Sequence, residues 1–536
     1  MKKNHNISLY VALLILIGLS SCTKNFDPIN YGALQPGAYP KTDAEWTSYV
    51  MQVYMPYNPK WGYTFFATGA GQEGYTLFQP DNSMFQYNDE ASDISQVFSG
   101  WGGNFFSLSS LNFPGTELGI NRGQGHFEKV KMITRWTSLI DQLNKSFKTS
   151  DNVLRKQLKG EAYAARGIMN FYLLYLYGPV PVIMDASKIG TTAEADLTRP
   201  DRATFVKYIT DDLQTAADSL QAVIPASEFG RFTKGAALTF LMRTYLMEHN
   251  YPAALPVGLA IKNLGLYSLN ADYNLCFKSS NSSAQTPEEI WSITTNTASE
   301  GRAANIFNLN AFSYYCIPWD CKLASGNAGW SQVFGMPWTI VKSFEPGDIR
   351  KQWLLTSYVT TQTGHATIDS TSGLTSAIMD KYTDDIVASF EANNIVVCRY
   401  ADVLLMIAEA EVGSGVTGEG MADLNLVRAR AGLAPLSGAL TMAKVFNERT
   451  HEIWWEAQRR LELIRFNNWN TQIAKYNNYY TSASMKKLTT YPPIMPIPIY
   501  AVNEGCAQNI QYAGVSGVTN ATYTEALPSY YTGNNK

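Results

Sequence analysis

Between Asn310 and Trp338 the chain gathers rings and amides: Asn310, Phe312, Tyr314, Tyr315, Trp319, Asn327, Trp330, Gln332 and Trp338. Indole and phenol rings offer flat apolar faces with a polar handle, and the amides add donors and acceptors. That combination suits a ligand with flat C–H faces and hydroxyl edges, such as a sugar ring. An earlier irregular stretch adds Tyr87, Asp89, Glu90, Trp101 and Asn104. Each ring taken singly reads as core packing, while the set reads as the lining of one exposed face. The residues chosen from it as a ligand site are Trp101, Asn104, Tyr314, Tyr315, Trp319, Asn327, Trp330 and Trp338.

Catalytic chemistry has poorer material. No G-x-S-x-G elbow, Walker loop or dinucleotide fingerprint occurs. His451-Glu452 begins like a zinc-protease helix, but Trp455 stands where the second His is required. His126, His249 and His365 are scattered, and no Cys/His spacing suggests zinc. Asp81, Asp89, Glu90 and Asp93 lack the spaced Gly of a calcium loop and read as a solvated turn. The sequence therefore predicts a binding protein, not an enzyme, with no metal and no cofactor. A glycosidase would need two carboxylates set across a sugar bond, a distance that spacing along the chain does not give.

Composition narrows the partners. A net charge of −3 over 536 residues, with a pI near 6.0, gives no electrostatic case for nucleic acid. Charged residues are 16%, whereas Trp, Tyr and Phe number 12, 32 and 24. That excess reads either as core and loop packing or as a stacking surface.

Helical spacing places these groups on a frame. Leu154, Leu158, Ala162, Ala165, Met169, Tyr172 and Leu176 recur at three and four residues, so 153–177 predicts a long helix with one wide apolar face. Gly178, Pro179 and Pro181 stop it. Further helices are predicted over 46–54, 127–147, 201–223, 400–412, 422–431 and 442–466, with a helical hairpin over 232–264 broken at Asn250. In that hairpin Leu238, Leu241, Tyr245 and Ala254 follow tetratricopeptide spacing, with Met242 where a small residue is usual. Such hairpins bury their faces only by stacking. From 270 to 394 short runs alternate with Gly, Ser, Asn, Trp and Tyr, which predicts an insertion; Pro492 to Pro498 predict an extended tail.

At the N-terminus Lys2 and Lys3 precede an apolar run from Leu9 to Leu19, of signal-peptide length and too short for a comfortable membrane span. Leu19-Ser20-Ser21-Cys22 resembles a bacterial lipobox, which implies lipidation of Cys22; ordinary cleavage with Cys22 incidental is the plainer alternative. The later cysteines number five, and Cys316 and Cys321 either close a small loop around Trp319 or stay as buried thiols.

Four segments in order resemble the SusD/RagB family of Bacteroidetes outer-membrane nutrient-binding lipoproteins. They are the 153–183 helix ending LYGPVPVI, Arg231-Phe-Thr-Lys-Gly-Ala-Ala237, Arg399 to Ala410 followed by Leu426 to Gly432, and Glu448 to Arg465. Ala457 stands in place of the family's usual Gly and Glu462 in place of its usual Asp, while Asp348-Ile-Arg350 resembles a structural D-x-R. The resemblance implies a mostly α fold, a tetratricopeptide-like scaffold with an irregular, loop-rich insertion carrying the ligand site. Its expected limits are a signal peptide over 1–21 and one domain over 22–536, with repeats near 121–265 and 399–466 and ligand portions near 60–120 and 270–394. It also implies an oligosaccharide or polysaccharide ligand, a SusC-like TonB-dependent transporter as partner, and a lipid anchor in the outer membrane. The alternative is a helical-repeat protein that binds peptide or protein there.

Overall fold

The computed structural model describes residues 39–59, 76–78, 83–97, 104–113, 126–278, 280, 284–295, 315–321, 332–382, 393–490 and 493–531. The chain divides into compact units of residues 1–49 and 50–536. In the first, a capping box starts α1 (Asp43–Val50): Glu45 N donates to Thr42 Oγ1 at 3.2 Å, and Glu45 Oε2 accepts from Thr42 N at 2.9 Å.

In the second unit a short α2 (Asn104–Ser109) precedes the scaffold. The scaffold opens with α3 (Val130–Lys145), α4 (Asn152–Tyr177), α5 (Arg202–Ser219), α6 (Lys234–Met247) and α7 (Tyr251–Asn263). It resumes, after the one-turn α8 (Trp338–Val341), with α9 (Tyr400–Ser414), α10 (Gly420–Arg430), α11 (Met442–Glu452), α12 (Arg459–Arg465) and α13 (Trp469–Tyr479), and a last turn α14 (Ile499–Asn503). The fold is mostly α, and α4, α5, α6, α7 and α9 pack each against the next, as stacked hairpins must. None of the described helices is long and apolar enough to cross a membrane.

Local chemistry explains the boundaries. Asp151 accepts from Val153 N and Leu154 N, both at 2.9 Å, and starts α4; Gly178, at φ +76°, ends it. Asp201, Thr233 and Asn250 cap α5, α6 and α7 in the same way. Close helix approach needs small residues: a Cβ on Gly167 would come within 2.9 Å of Leu213 on α5. Met242 takes the small-residue position of the repeat because Gly258 on α7 makes room, where a Cβ would lie 2.6 Å from its Cε.

Arginines then lock the stack. Arg166 grips Asp212 through two 2.8 Å bonds and Thr137 through a third, joining α3, α4 and α5. Arg243 on α6 and Arg449 on α11 meet on Asp402 of α9, at 2.8 and 2.6 Å, and hold its carboxyl well below the usual range against the cost of burial. Arg399 Nη1 donates to Glu452 at 2.6 Å and Glu288 at 2.8 Å, and its Nε to Glu456 at 2.7 Å. Arg350 reaches Glu448 at 2.7 Å and Glu452 at 3.0 Å; Arg430 pairs with Glu288 and Glu452, and Lys381 with Glu456. All of these residues are buried except Arg430, which is half-buried with its side chain turned inward.

One expected helix is two. The apolar spacing over 442–466 predicts a single helix, but the chain breaks between Glu452 and Arg459, with Trp455 and Ala457 at φ +56° and +61°. Left-handed backbone is why Gly is usual at position 457. Asp89 closes the break, accepting from Ala457, Gln458 and Arg459 N at 2.7, 2.9 and 2.9 Å at the start of α12. Burial nevertheless pushes its carboxyl up to about 7.

The end of α4 is capped from far along the chain. Arg460 Nη2 donates to Tyr175 O at 2.9 Å, Met495 N to Leu176 O at 2.7 Å, and Arg199 Nη2 to Tyr177 O at 3.1 Å. Arg199 and Arg460 rest on carbonyls and amides and have no carboxylate partner among the described residues; burial brings both down to about 10.

The irregular part contributes two-stranded antiparallel pairs. β1 (Gln96–Val97) pairs with β3 (Phe334–Gly335), and β2 (Glu289–Ile293) with β8 (Ile395–Arg399). β4 (Leu354–Leu355) pairs with β7 (Ile378–Met379), and β5 (Ser357–Val359) with β6 (Thr367–Asp369). The β2–β8 register, Glu289 opposite Arg399 and Ile293 opposite Ile395, anchors the insertion to the start of α9.

Candidate functional site

The described part of the irregular region displays one large ring. Residues 315–321 form a tight turn in which Cys321 N donates to Pro318 O at 3.0 Å. Tyr315, Cys316 and Ile317 root it in the interior, and Trp319 at its tip is 58% exposed.

The next residue holds that tip. Asp320 Oδ1 accepts from the Tyr358 hydroxyl at 3.0 Å, and Oδ2 from the Thr360 hydroxyl at 2.6 Å. Its backbone carbonyl accepts from Thr361 N at 2.8 Å, and Cys321 pairs with Thr360 as an antiparallel bridge. The β5–β6 hairpin is thus a clamp on the turn. Burial first, then the hydrogen bond to Asp320 and its charge, raise the Tyr358 phenol above its usual range, so it stays a proton donor. A turn held this way loses little further backbone freedom when a ligand stacks on the ring at its tip.

The other chosen residues fall differently. Tyr315, in the same turn, is 2% exposed, and Trp338, the first residue of α8, is 9% exposed. Both are packed as anchors, with Tyr315 6.2 Å from the Phe334 ring and its carbonyl accepting from Val333 N at 2.7 Å. Asn104 opens α2. Trp101, Tyr314, Asn327, Trp330 and Cys22 lie outside the described residues. Tyr87, Asp89 and Glu90 are fully buried, and Asp93 pairs with Arg459 at 2.7 Å, so these carboxylates form no solvated turn. The clamp of Asp320, Tyr358 and Thr360 is what reading the sequence missed; its signal is a carboxylate beside an aromatic at a turn, too common to single out.

Nucleophilic and acid–base groups are committed elsewhere. Cys276, Cys316, Cys321, Cys398 and Cys506 are all buried thiols, with no bridge between Cys316 and Cys321. Burial pushes the Cys321 thiol up to about 12, which suppresses thiolate chemistry. Ser343 Oγ and His451 Nε2 lie 2.9 Å apart, a pair that in another setting forms nucleophile and base. Here burial, and then Arg350, Arg459 and Arg428, bring His451 down to about 3, so it takes no proton at neutral pH. Glu452, its neighbour in the zinc-protease-like dipeptide, is spent on arginines. Among the described residues no His, Cys, Asp and Glu group could hold a metal ion.

Comparison with known proteins fits this division. A family model described as the SusD family matches residues 287–508, and one described as "Starch-binding associating with outer membrane" matches 126–246. A "SusD-like protein P38" of Formosa agariphila is 24% identical over 330 residues, 58% of this chain and 64% of its own length. A "SusD-like protein" of Bacteroides ovatus is 23% identical over 429 residues, 75% of this chain and 76% of its own. The solved surface glycan-binding protein A from Bacteroides thetaiotaomicron, in complex with laminarihexaose, superposes with a TM-score of 0.66 at 17% identity, covering 88% of this chain and 100% of that one. One model lies on the early helical hairpins and the other runs from β2 to beyond α14, together well over half of the residues, and the chain belongs to the SusD/RagB family.

Proposed function

We propose that this protein is a cell-surface lipoprotein that captures oligosaccharide at the outer membrane and delivers it to a SusC-like TonB-dependent transporter. Binding involves no bond cleavage, and the energy of uptake belongs to the transporter. One observation carries the reading: a family member displays an exposed indole, Trp319, at the tip of a turn that a hairpin clamps through Asp320. Sugars stack on such a face while neighbouring polar groups meet their hydroxyls. In this reading Trp101, Asn104, Tyr314, Asn327 and Trp330 join Trp319 around the ligand, Tyr315 and Trp338 brace the loops, and an acylated Cys22 is the anchor. That a similarly folded protein was solved with laminarihexaose supports a glycan over a peptide.

Isothermal titration against laminarihexaose and a polysaccharide panel tests it. Trp319→Ala should weaken the binding of whichever glycan is recognised by tenfold or more, about 1.4 kcal/mol. Unchanged affinity in that variant would reject the site, and failure of every glycan beside capture of peptide would reject the ligand class.

A further inference from the structure

One buried side chain gathers the early irregular portion. Lys487 is 3% exposed, and its Nζ donates to Ser109 O at 2.6 Å, Ser95 O at 3.0 Å and Glu90 O at 3.2 Å. Three carbonyls thus meet the three N–H groups of an ammonium, and the Tyr476 ring lies 5.0 Å from it. Ser95 stands just before β1, and Ser109 is the last residue of α2.

The lysine is itself held from behind. Its backbone N donates to Asn477 Oδ1 and its carbonyl accepts from Asn477 Nδ2, both at 2.8 Å, which ties it to α13. Beside it, Leu488 N donates to Ser110 O at 2.7 Å. A further bond closes the same neck, from Val97 N to Ser109 Oγ at 3.0 Å.

This closure backs the Trp319 turn. β1 pairs with β3, Gln96 opposite Gly335 and Val97 opposite Phe334. Immediately before β3, Val333 N donates to Tyr315 O at 2.7 Å, at the root of the turn. The Tyr476 hydroxyl donates to Gln96 Oε1 at 3.1 Å, so the ring beside the lysine also steadies β1.

We propose that Lys487 is a positioning residue for the ligand site: it touches no ligand, and by fixing β1 against β3 it sets where the turn carrying Trp319 stands. The inference rests on the glycan reading above and adds a distant support to it.

The test titrates the full-length protein with laminarihexaose or, should that sugar not bind, with the panel glycan that does. Titrations run at pH 6, below the value of about 7 to which burial lowers Lys487, so that all three N–H groups are present. Lys487→Met keeps the length of the side chain and removes its donors. Ser109→Ala opens the neck without touching the lysine, and decides the matter if Lys487→Met does not fold. Arg166→Met removes buried bonds from the scaffold instead and is the control. Affinity should fall about tenfold in Lys487→Met and about threefold in Ser109→Ala, with faster amide exchange over 95–97 and 333–335. Arg166→Met should lower the melting temperature and leave both affinity and that exchange unchanged. Full affinity in the neck variants, or an equal loss in all three, would overturn the positioning role alone. No binding of any glycan by the unmodified protein would overturn the glycan reading, and this role with it.

Discussion

Arg399 and Trp319 invert what their side chains usually do. The guanidinium is 1% exposed and shares Glu288, Glu452 and Glu456 with neighbouring cations, while the indole stands 58% in solvent. Apolar residues normally go inside and unpaired charges outside. Here the charged set is structural because every member is met by partners from other elements, and the exposed ring is available because a hairpin holds it out. Motif-rich helices therefore locate the frame, and the proposed site lies where the motifs stop.

The comparison breaks most readily at Glu452, which touches Arg350, Arg399 and Arg430 at once. Glu452→Gln leaves three buried guanidinium groups short of their shared anion and should cost about 3–5 kcal/mol, read as a fall in the urea midpoint. An unchanged midpoint would show that the network does not hold the frame. Next in size is the acid limb. His451 titrates at about 3 in the folded protein against 6.5 unfolded, so between those values the unfolded chain binds the extra proton and stability falls as pH falls. His451→Gln should remove about 2–3 kcal/mol of the loss between pH 7 and 4.5; an equally steep limb would place the acid sensitivity elsewhere. The smallest effect is a gain. Ala457→Gly relieves left-handed backbone and should stabilise by about 0.5–1 kcal/mol, since relief exceeds the entropy Gly adds to the unfolded chain. A loss would mean that the methyl packs well enough to outweigh the strain.

Much of the frame was legible. The stripe from Leu158 to Leu176 is buried as its spacing requires, with Leu154 half-buried ahead of it, and Gly178 ends the helix as a stop residue should. The hairpin break at Asn250 fell where a cap is chemically natural. The break inside 442–466 was not legible, because its apolar spacing runs through and the group that stabilises it, Asp89, comes 368 residues earlier. Alanine at position 457 also removes the glycine that marks such a bend. The helix α13 was missed because Asn-rich sequence masks the spacing of Trp469, Ile473 and Tyr476. In the 315–321 turn, residue type alone did not say which ring faces outward: Trp319 is exposed, and Tyr315, four residues before it, faces in. That choice is made by Tyr358 and Thr360, 38 and 40 residues beyond Asp320.

The far end of α4 carries a consequence for biogenesis. Its last carbonyls wait for Arg460 and Met495, groups translated roughly three hundred residues later. A ribosome that has delivered the early hairpins has therefore made a helix whose Tyr175 and Leu176 carbonyls are still bare, and their shielding falls to a much later segment. Loss of that late segment would leave the longest of the described helices with an open end, turning a distant deletion into a defect in the scaffold.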